Sequence, residues 1–458
     1  MLELHTLLYA ISPTSGTNVA VLVEIIKGIY RIGNGGVTMK NISRWTPSGC
    51  SYRTIQRFFA HSTDWLSLNI LLFQSAYFEA GETDKERYLL AFDETVEDKA
   101  GKCTWGVNWF YSSIASKVIR SISNHVVSLI DTKRETSYCL THEQTVKPEK
   151  KRRFKKRKTK RKILTKVTNK ATQKAKPKRK RGRPKGSKNK QNVKSEGLLY
   201  RSFEKLLGIV VPVLQTIGLS FGYVLADGAY GNKTCCLICR EYGLDLISKL
   251  NRNTGLYLPY SGKYSGRGRK KKYGDKIDYH NIDNEYLIET SIEDGFKTCI
   301  YQIKGVWTKR MPVLLNVVII VKTDLETEKS GRVVLFSTDL DLAGLKIIRF
   351  YSLRFQIEFN FRDAKQYFGM SDFKNIKETQ VNNAVGLSLF MANVSLILIE
   401  KAKTVWQEDF VSIQDLKAHF RAEKYLKDIL NTLEISEKVI LNDIRFDDIR
   451  KIGAINRR

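Results

Sequence analysis

Apolar and polar residues recur along the chain with a period that changes several times. In residues 1–85 the apolar residues have helical spacing, in a run from Val19 to Tyr30 and in two short segments, Met39 to Trp45 and Tyr52 to Phe59. The turn-like sequence TPSGCS joins the two short segments, which predicts either a helix-turn-helix or an ordinary helical hairpin. We therefore expect a helical N-terminal domain.

The pattern becomes that of an α/β core after Arg87. Three strand-like segments follow, RYLLAFD, TWGVNWFYSSIAS and NHVVSLIDT. Further along, two helical patterns (Leu198 to Ile217 and Lys233 to Tyr242) are each followed by a strand-like run, FGYVLAD and LDLISKL. Strands mixed with helices in this order predict an α/β core in two parts, residues 86–145 and 196–250.

The rest of the chain predicts one more strand-rich region and two helical ones. Residues 251–345 are rich in Gly, Tyr and β-branched residues, with runs such as YLIETSI and LLNVVIIVKT, and we interpret them as a β-rich insertion. Residues 346–375 return to a helical pattern within the core, and residues 376–458 predict a helical C-terminal region. The longest apolar stretch, Ala384 to Ile399, is interrupted by polar residues and predicts a buried helix, so we expect no membrane association.

Charge changes this picture because it is concentrated in one segment. The chain has 78 Lys and Arg residues against 47 Asp and Glu, a formal net charge of +31. Residues 147–194 carry 25 basic residues and one acidic residue, Glu149, and so supply +24 of that charge. A segment with so few apolar residues cannot bury a core, which predicts a disordered polybasic insertion over residues 146–195. The positive field favours a nucleic acid partner over an acidic membrane surface, and it makes the N-terminal helices a candidate DNA-binding domain.

Within the polybasic insertion, Arg181, Gly182, Arg183 and Pro184 form a sequence that resembles an AT-hook. Such an extended strip places its arginines in the narrow minor groove of A·T-rich DNA. A generic linker that neutralises phosphates without recognising sequence is the alternative. A second basic segment, YSGRGRKKKYG at 264–274, predicts either another DNA-facing loop or a solvated hairpin tip.

Cysteine usage and the first residues bear on the cellular compartment. Seven scattered cysteines suit a reducing compartment, and MLELHTLLYAISP lacks the basic start of a signal peptide. We therefore expect a soluble, intracellular protein. Cys235, Cys236 and Cys239 cluster without a second pair at zinc spacing, which favours buried helix cysteines over a metal site.

Two carboxylates end apolar, strand-like runs. Asp93 ends LLAFD and Asp227 ends YVLAD. Side chains at the C-terminal ends of buried strands lie at the sheet edge where α/β proteins place their sites. If the two strands are neighbours, the carboxylates converge and require a cation between them to stay ionised together. The alternative is that each Asp only caps a strand or opens a turn.

Residues 349–370, RFYSLRFQIEFNFRDAKQYFGM, predict one amphipathic helix with two distinct faces. The apolar stripe consists of Leu353, Ile357, Phe361, Ala364 and Phe368. The other face carries a carboxylate among cationic and hydroxyl groups, namely Tyr351, Arg354, Glu358, Arg362 and Lys365. A merely solvated charged face does not explain why a carboxylate is surrounded by donors that suit phosphate.

The spacing Y-x2-R-x3-E-x6-K resembles, without a mismatch, the signature of a large group of bacterial insertion-sequence transposases of the DDE type. The stretch FDETVEDKAGKCTWGV is similar to that group's first acidic region and ADGAYGN to its second. The resemblance covers Arg87 to Met370 and implies a ribonuclease-H-like, mixed-sheet catalytic core. The polybasic insertion lengthens the first gap, which departs from the compact family pattern.

The resemblance also implies roles for particular residues. Asp93, Asp227 and Glu358 would be the catalytic residues and the ligands of two Mg²⁺ ions, with Mn²⁺ as a substitute. The residues expected to bind DNA near the cut end are Tyr351, Arg354, Arg362 and Lys365. Trp307, in the β-rich insertion, would stack on a flipped base, with core packing as the alternative.

The function that the resemblance implies is DNA transposition. A homodimer would cut double-stranded DNA at the inverted repeats of transposon ends and join it to target DNA, in a prokaryotic cytoplasm and associated with the nucleoid. One alternative is a non-catalytic AT-hook-like DNA-binding protein derived from a transposase, although the presence of all three carboxylates argues against it. Another ribonuclease-H-like endonuclease, which cuts without strand transfer, is the second alternative.

Overall fold

The computed structural model describes residues 18–33, 35–46, 49–79, 81–148, 197–264, 266, 268–433 and 449. The AT-hook-like strip lies outside these residues, as does all but the first three residues of the polybasic insertion. The helices of the described part are α1 (Val19–Arg31), α2 (Met39–Arg44), α3 (Tyr52–Ala60), α4 (Trp65–Ala76), α5 (Leu198–Thr216), α6 (Lys233–Glu241), α7 (Gly344–Leu353), α8 (Gln356–Tyr367), α9 (Glu378–Trp406) and α10 (Ile413–Thr432), with one 3₁₀ turn, Asn284–Tyr286.

Twelve strands form one sheet in the same part of the chain. They are β1 (Tyr88–Asp98), β2 (Asn108–Ser112), β3 (Lys117–Asp131), β4 (Thr136–Gln144), β5 (Phe221–Ala226), β6 (Asp245–Leu250), β7 (Leu256–Pro259), β8 (Tyr273–Lys276), β9 (Leu287–Glu293), β10 (Phe296–Thr308), β11 (Leu315–Asp324) and β12 (Ser330–Ser337). Their order is β2-β3-β1-β5-β6-β12-β11-β10-β7-β8, with β4 paired to β3 and β9 to β10. The predicted α/β class with a mixed sheet is confirmed.

The centre of the sheet is its parallel part. Strand β1 pairs antiparallel with β3 on one side and parallel with β5 on the other, and β5 pairs parallel with β6. The first five residues of β1, Tyr88 to Phe92, are completely buried. This burial explains why the strand appears in the sequence as an unbroken apolar run rather than as an alternating one.

The strand-rich segment 251–345 continues the core sheet. Strand β12 pairs antiparallel with β6, with Val334 opposite Leu250 and Ser337 opposite Ile247. Strands β10 and β11 then add outward from β12. The predicted strand content of this segment is confirmed, whereas the division of the chain into domains stays a prediction.

Helix α9 packs in the interior between the N-terminal helices and the sheet. The side-chain oxygen of Asn393 accepts a hydrogen bond from the backbone nitrogen of Cys139 (3.0 Å), and its amide nitrogen donates to Asn69 Oδ1 and to the Cys139 carbonyl, both at 2.7 Å. In the described part of the chain, α9 is the one helix with the length and composition of a membrane span. Within its apolar stretch of 18 residues, 83% is buried inside the protein. The predicted buried helix is therefore confirmed.

The N-terminal and C-terminal helices pack against each other. Helix α1 contacts α10, where the ring of Tyr30 stacks on Phe420 with 4.8 Å between centroids. The hydroxyl of Tyr30 also forms a 2.7 Å hydrogen bond with Ser395 of α9. The two short predicted helices are confirmed as α2 and α3, which begin at side-chain caps from Thr38 and Ser51. Their role in DNA binding stays a prediction.

The single helix predicted over residues 349–370 is wrong, because the chain breaks at Arg354 and Phe355 into α7 and α8. Hydrogen bonds across the break run from residue i to i−3, from Phe355 to Ser352, from Ile357 to Arg354 and from Glu358 to Phe355. Such bonds tighten the helix to 3₁₀ geometry without reversing its direction. The predicted apolar stripe is buried along both helices, so its period alone does not reveal the break.

Candidate active site

The register of two parallel strands brings the first two carboxylates together. Phe92 of β1 lies opposite Ala226, the last residue of β5. The residue that follows Phe92 is Asp93, and the residue that follows Ala226 is Asp227. Because the strands are parallel, both carboxylates lie where β5 ends. The prediction that Asp93 ends its own strand is wrong, because β1 continues to Asp98 through its pairing with β3. The condition that the sequence left open, that the two strands are neighbours, is met.

Helix α8 brings the third carboxylate to the same place. Asp93, Asp227 and Glu358 line one open cleft of about 800 Å³. The cleft also holds three of the predicted cationic side chains, Arg354, Arg362 and Lys365. One stretch of α8, together with the break before it, therefore supplies a carboxylate and three cations to the middle of β1 and the end of β5.

Arg354 bridges two of the three carboxylates. Its Nη1 donates to Asp93 Oδ2 at 2.7 Å, and its Nη2 donates to Glu358 Oε1 at 3.3 Å. The Arg354 side chain is only 12% exposed, so solvent screens this arrangement weakly. The resemblance assigned Arg354 to DNA phosphates, whereas in this structure it is the counter-ion of the carboxylates.

Burial dominates the protonation of Asp93. The pKa of its carboxyl is raised to about 6, mainly by burial and to a smaller extent by the charges of Glu358 and Asp227. Arg354 opposes this shift, as does the backbone N–H of Glu94, which donates to Asp93 Oδ1 at 2.8 Å. Arg354 is the cation that lowers the pKa of Asp93 most.

The donor chemistry of the cleft fits a hard divalent cation, since three carboxylates supply the oxygen ligands that Mg²⁺ prefers. Within the described residues, however, no three His, Cys, Asp or Glu side chains are gathered closely enough to hold a metal ion. The guanidinium of Arg354 already neutralises Asp93 and Glu358. Metal binding at these residues would place a cation close to this guanidinium, and it stays a prediction.

The other predicted DNA contacts are divided between the cleft and its surroundings. Lys365 lines the cleft and forms an ion pair with Glu97 at 2.5 Å, while Arg362 lines it with a 58% exposed side chain. Tyr351 is half-buried and lies 5.7 Å from the guanidinium carbon of Arg354, outside the set of residues that line the cleft.

Trp307 lies on β10 and does not line the cleft. The ammonium of Lys272, from the basic segment 264–274, lies 3.2 Å from the centre of its ring. This contact covers one face of the indole. Stacking of a flipped base on that face would require Lys272 to move. The stacking role of Trp307 stays a prediction.

The sequence did not identify a polar pair beneath the cleft. Tyr230 is buried three residues after Asp227, and its hydroxyl forms a 2.8 Å hydrogen bond with His125 Nδ1. Burial raises the pKa of Tyr230 well above its usual value and lowers the pKa of His125. The motif ADGAYGN contains Tyr230, but its partner lies 105 residues away and no local pattern indicates the contact.

The clustered cysteines are structural. Cys235, Cys236 and Cys239 are buried in α6, and burial raises the pKa of each thiol above its usual value. Raised thiol pKa values disfavour the thiolate that a metal would need. The prediction of buried helix cysteines is confirmed.

Two family models match the chain. The model described as "DDE superfamily endonuclease" matches residues 32–286, which is more than half of the chain and includes Asp93 and Asp227. The model described as "Transposase DDE domain" matches residues 209–394, which include Asp227 and Glu358. Each carboxylate of the cleft thus falls within at least one matched region. A search of curated proteins gave no match.

Proposed function

Since the chain belongs to the DDE superfamily of endonucleases, we propose that it is a DNA transposase that cuts transposon ends and joins them to target DNA. The observation that carries the proposal is the convergence of Asp93, Asp227 and Glu358 on one cleft. The family implies a nuclease that acts on DNA, and the resemblance of the acidic helix to insertion-sequence transposases favours strand transfer as the second step.

In the proposed mechanism, Asp93, Asp227 and Glu358 hold two Mg²⁺ ions, or Mn²⁺ in their place. Bound divalent ions would activate the attacking oxygen and stabilise the leaving oxygen of a phosphodiester. Phosphoryl transfer needs positioning and charge neutralisation more than covalent help from the protein. The three carboxylates come from the middle of β1, the residue after β5 and helix α8, and their attachment to elements of the core supports this proposal.

The cationic side chains of the cleft would position the DNA backbone. Arg362 is exposed and pairs through Nε with its neighbour Asp363 at 3.0 Å, and Lys365 is less exposed. Both would contact phosphates of a bound strand. Arg354 would exchange its two carboxylates for a phosphate when cations occupy the site. An arginine suits both states, since its planar fork pairs equally well with carboxylate and phosphate oxygens.

The proposed substrate is double-stranded DNA with inverted repeats at the transposon ends. Two ends have to be cut and joined together, so we propose that a homodimer holds them. The polybasic insertion would add contacts to phosphates that do not depend on sequence.

The test is metal-dependent cleavage of DNA that carries the flanks of this chain's own coding region. Asp227→Asn and Glu358→Gln keep the side-chain size and remove the charge, and each should lower the cleavage rate by at least about a thousandfold. Asp409→Asn is the control, because Asp409 is exposed and does not line the cleft. It should cleave at nearly the wild-type rate.

Two outcomes would favour the alternatives. If wild type and both variants are equally inactive while duplex binding persists, the protein is a DNA-binding derivative of a transposase. If wild type cleaves but does not join supplied pre-cut ends to a target, it is an endonuclease without strand transfer. Joined products that are absent with Asp227→Asn support the proposal.

A further inference from the structure

The hairpin of β2 and β3 presents aromatic side chains to solvent beside the cleft. Trp109 and Tyr111 alternate with buried neighbours on β2 and are 61% and 62% exposed. In the antiparallel register, Trp109 lies opposite Arg120 and Tyr111 lies opposite Val118. Directly opposite residues share one face of a sheet. We call this face, formed by Trp109, Tyr111, Val118 and Arg120, the hairpin platform.

The hairpin platform is continuous with the carboxylate cleft. Tyr111 lines the cleft itself, beside Asp93 and Glu358. A second groove, of about 680 Å³, holds Trp109 and Arg120. Lys365 lines both the cleft and this groove, so a strand that leaves the carboxylates passes Lys365 and reaches the platform.

The charges along the groove suit a phosphate backbone. Lys117, Arg120 and Lys365 line it, together with two carboxylates, Glu97 and Asp98. Glu97 is neutralised by Lys365 and also accepts a hydrogen bond from Ser371 at 2.6 Å. Exposed aromatic rings beside Lys and Arg are the composition with which proteins bind single-stranded nucleic acid, because any base stacks on an aromatic face.

From this geometry, and resting on the proposed function, we infer that the hairpin platform binds unpaired bases of the DNA strand that leaves the carboxylate cleft. Trp109 and Tyr111 are two residues apart on a strand, which separates them by about 7 Å. Stacked bases in a duplex rise by only about 3.4 Å each. Neighbouring bases that occupy both rings must therefore be unstacked from each other, which excludes an intact duplex from this face.

The test compares two DNA ligands of this protein without divalent metal, by fluorescence anisotropy. One is a fully paired duplex and the other carries five unpaired nucleotides at one end. The double variant Trp109→Ala with Tyr111→Ala should lose about tenfold or more in affinity for the unpaired ligand. Its affinity for the paired duplex should stay within about twofold of wild type, because the cationic side chains remain.

Two controls separate stacking from other effects. Trp109→Phe with Tyr111→Phe keeps both rings and should retain most of the preference for unpaired ends. Phe410→Ala removes a similarly exposed ring, 69% accessible, that lines neither the cleft nor the groove. This variant should bind both DNA ligands with wild-type affinity. Melting temperatures should be unchanged in all three, since the removed rings are exposed.

The inference is overturned if the alanine double variant keeps the wild-type preference for unpaired ends. If the oligomeric state of that variant also changes in sedimentation, the platform is a contact between copies of the chain. Cleavage by wild type is measured in parallel. If wild type cleaves but the alanine double variant binds unpaired ends normally, the inference about the hairpin platform is wrong and the proposed function stands. If wild type prefers unpaired ends but never cleaves, the proposed function is wrong and the inference about the platform stands.

Discussion

One guanidinium stands between two carboxylates that would otherwise repel each other. Arg354 donates to Asp93 and to Glu358 from a position that is mostly shielded from water. A buried carboxylate without such a partner takes up a proton rather than remain charged. The charge state of the cleft is therefore controlled by the residue that precedes the acidic helix.

Removing the Arg354 charge should raise the pKa of Asp93 above its present value of about 6, because Arg354 is the main group that lowers it. Arg354→Gln is the informative change, followed by ¹³C NMR of carboxyl-labelled aspartates in metal-free protein, with Asp93→Asn to assign the signal. Arg349→Gln is the control, since Arg349 pairs with Glu135 at the surface. An Asp93 pKa that does not move would show that the bridge is not formed in solution.

Lys99 is a second charged residue whose environment can be tested by pH. It is buried, donates to the carbonyls of Met370 (3.2 Å) and Ser371 (3.0 Å), and lies over the ring of Phe373. Burial lowers the pKa of Lys99 to about 8 from 10.5. Between these two values the unfolded chain binds more protons than the folded protein, so the contribution of Lys99 to stability rises with pH.

The free energy of unfolding of wild type minus that of Lys99→Met should therefore increase between pH 8 and pH 10.5, by at most about 3 kcal/mol. Chemical denaturation at several pH values measures this difference. The exposed Lys102 provides the control, and Lys102→Met should show a flat difference over the same range. A flat profile for Lys99→Met would mean that the ammonium is solvated.

At the scale of elements, the buried parts of the strands were predictable, whereas the end of β1 and the strand neighbours were not. Apolar runs located β1 and β5, and with them Asp93 and Asp227, because strands buried on both faces leave an unbroken apolar signal. Their pairing joins residues separated by the whole polybasic insertion, which no local pattern encodes. The break between α7 and α8 escaped prediction for a related reason, since both helices keep the same stripe buried. The bridge made by Arg354 depends on both of these features.

Helix α9 offers a test of close packing between elements. A side-chain carbon added at Gly386 would lie 2.3 Å from Cδ1 of Trp65, whose indole nitrogen donates to Asn383 on the same helix. Gly386→Ala should lower the free energy of unfolding by about 1–3 kcal/mol, because overpacking outweighs the helix propensity gained. Thermal unfolding measures the loss.

A glycine on the sheet provides the control, because the same substitution there adds a methyl group without crowding a neighbour. Gly331 on β12 has no atom within 4 Å of an added side-chain carbon, so Gly331→Ala should leave the melting temperature nearly unchanged. Equal melting temperatures for Gly386→Ala and wild type would show that α9 and α4 are farther apart than described.

At the scale of the molecule, the charge and the chemistry belong to different parts of the chain. Residues 147–194 hold +24 of the net charge of +31, which leaves +7 for all the rest. Composition alone could predict a nucleic acid partner from this excess, yet it could not locate the cleft, which is lined by the carboxylates of Asp93, Glu94, Asp227 and Glu358. The spacing around Glu358 provided that location, and the register of β1 with β5 gives it a physical basis.

Replacing residues 149–194 by a Gly/Ser linker should flatten the dependence of log affinity on log salt for duplex DNA, because fewer counterions are released on binding. Titrations at several salt concentrations measure the slope. A variant in which residues 149–194 are kept but placed in scrambled order should have the wild-type slope of log affinity against log salt. If scrambling also abolishes a preference for A·T-rich DNA, the strip from Arg181 to Pro184 acts as an AT-hook. An unchanged slope in the linker variant would mean that the segment does not contact DNA.

The parallel pairing of β1 with β5 also determines the order in which parts of the sheet can form during synthesis of the chain. A ribosome adds about 5–20 residues per second, so β1 waits on the order of ten seconds after its own synthesis before β5 exists. During that interval β3 can pair with β1 and β4 with β3, while the other edge of β1 remains open. Glu358 follows β5 by a further 132 residues after Ala226. A nascent chain therefore contains its whole polybasic segment well before Glu358 is synthesised. A product truncated between the two would have the segment proposed to bind DNA without the complete set of proposed catalytic carboxylates.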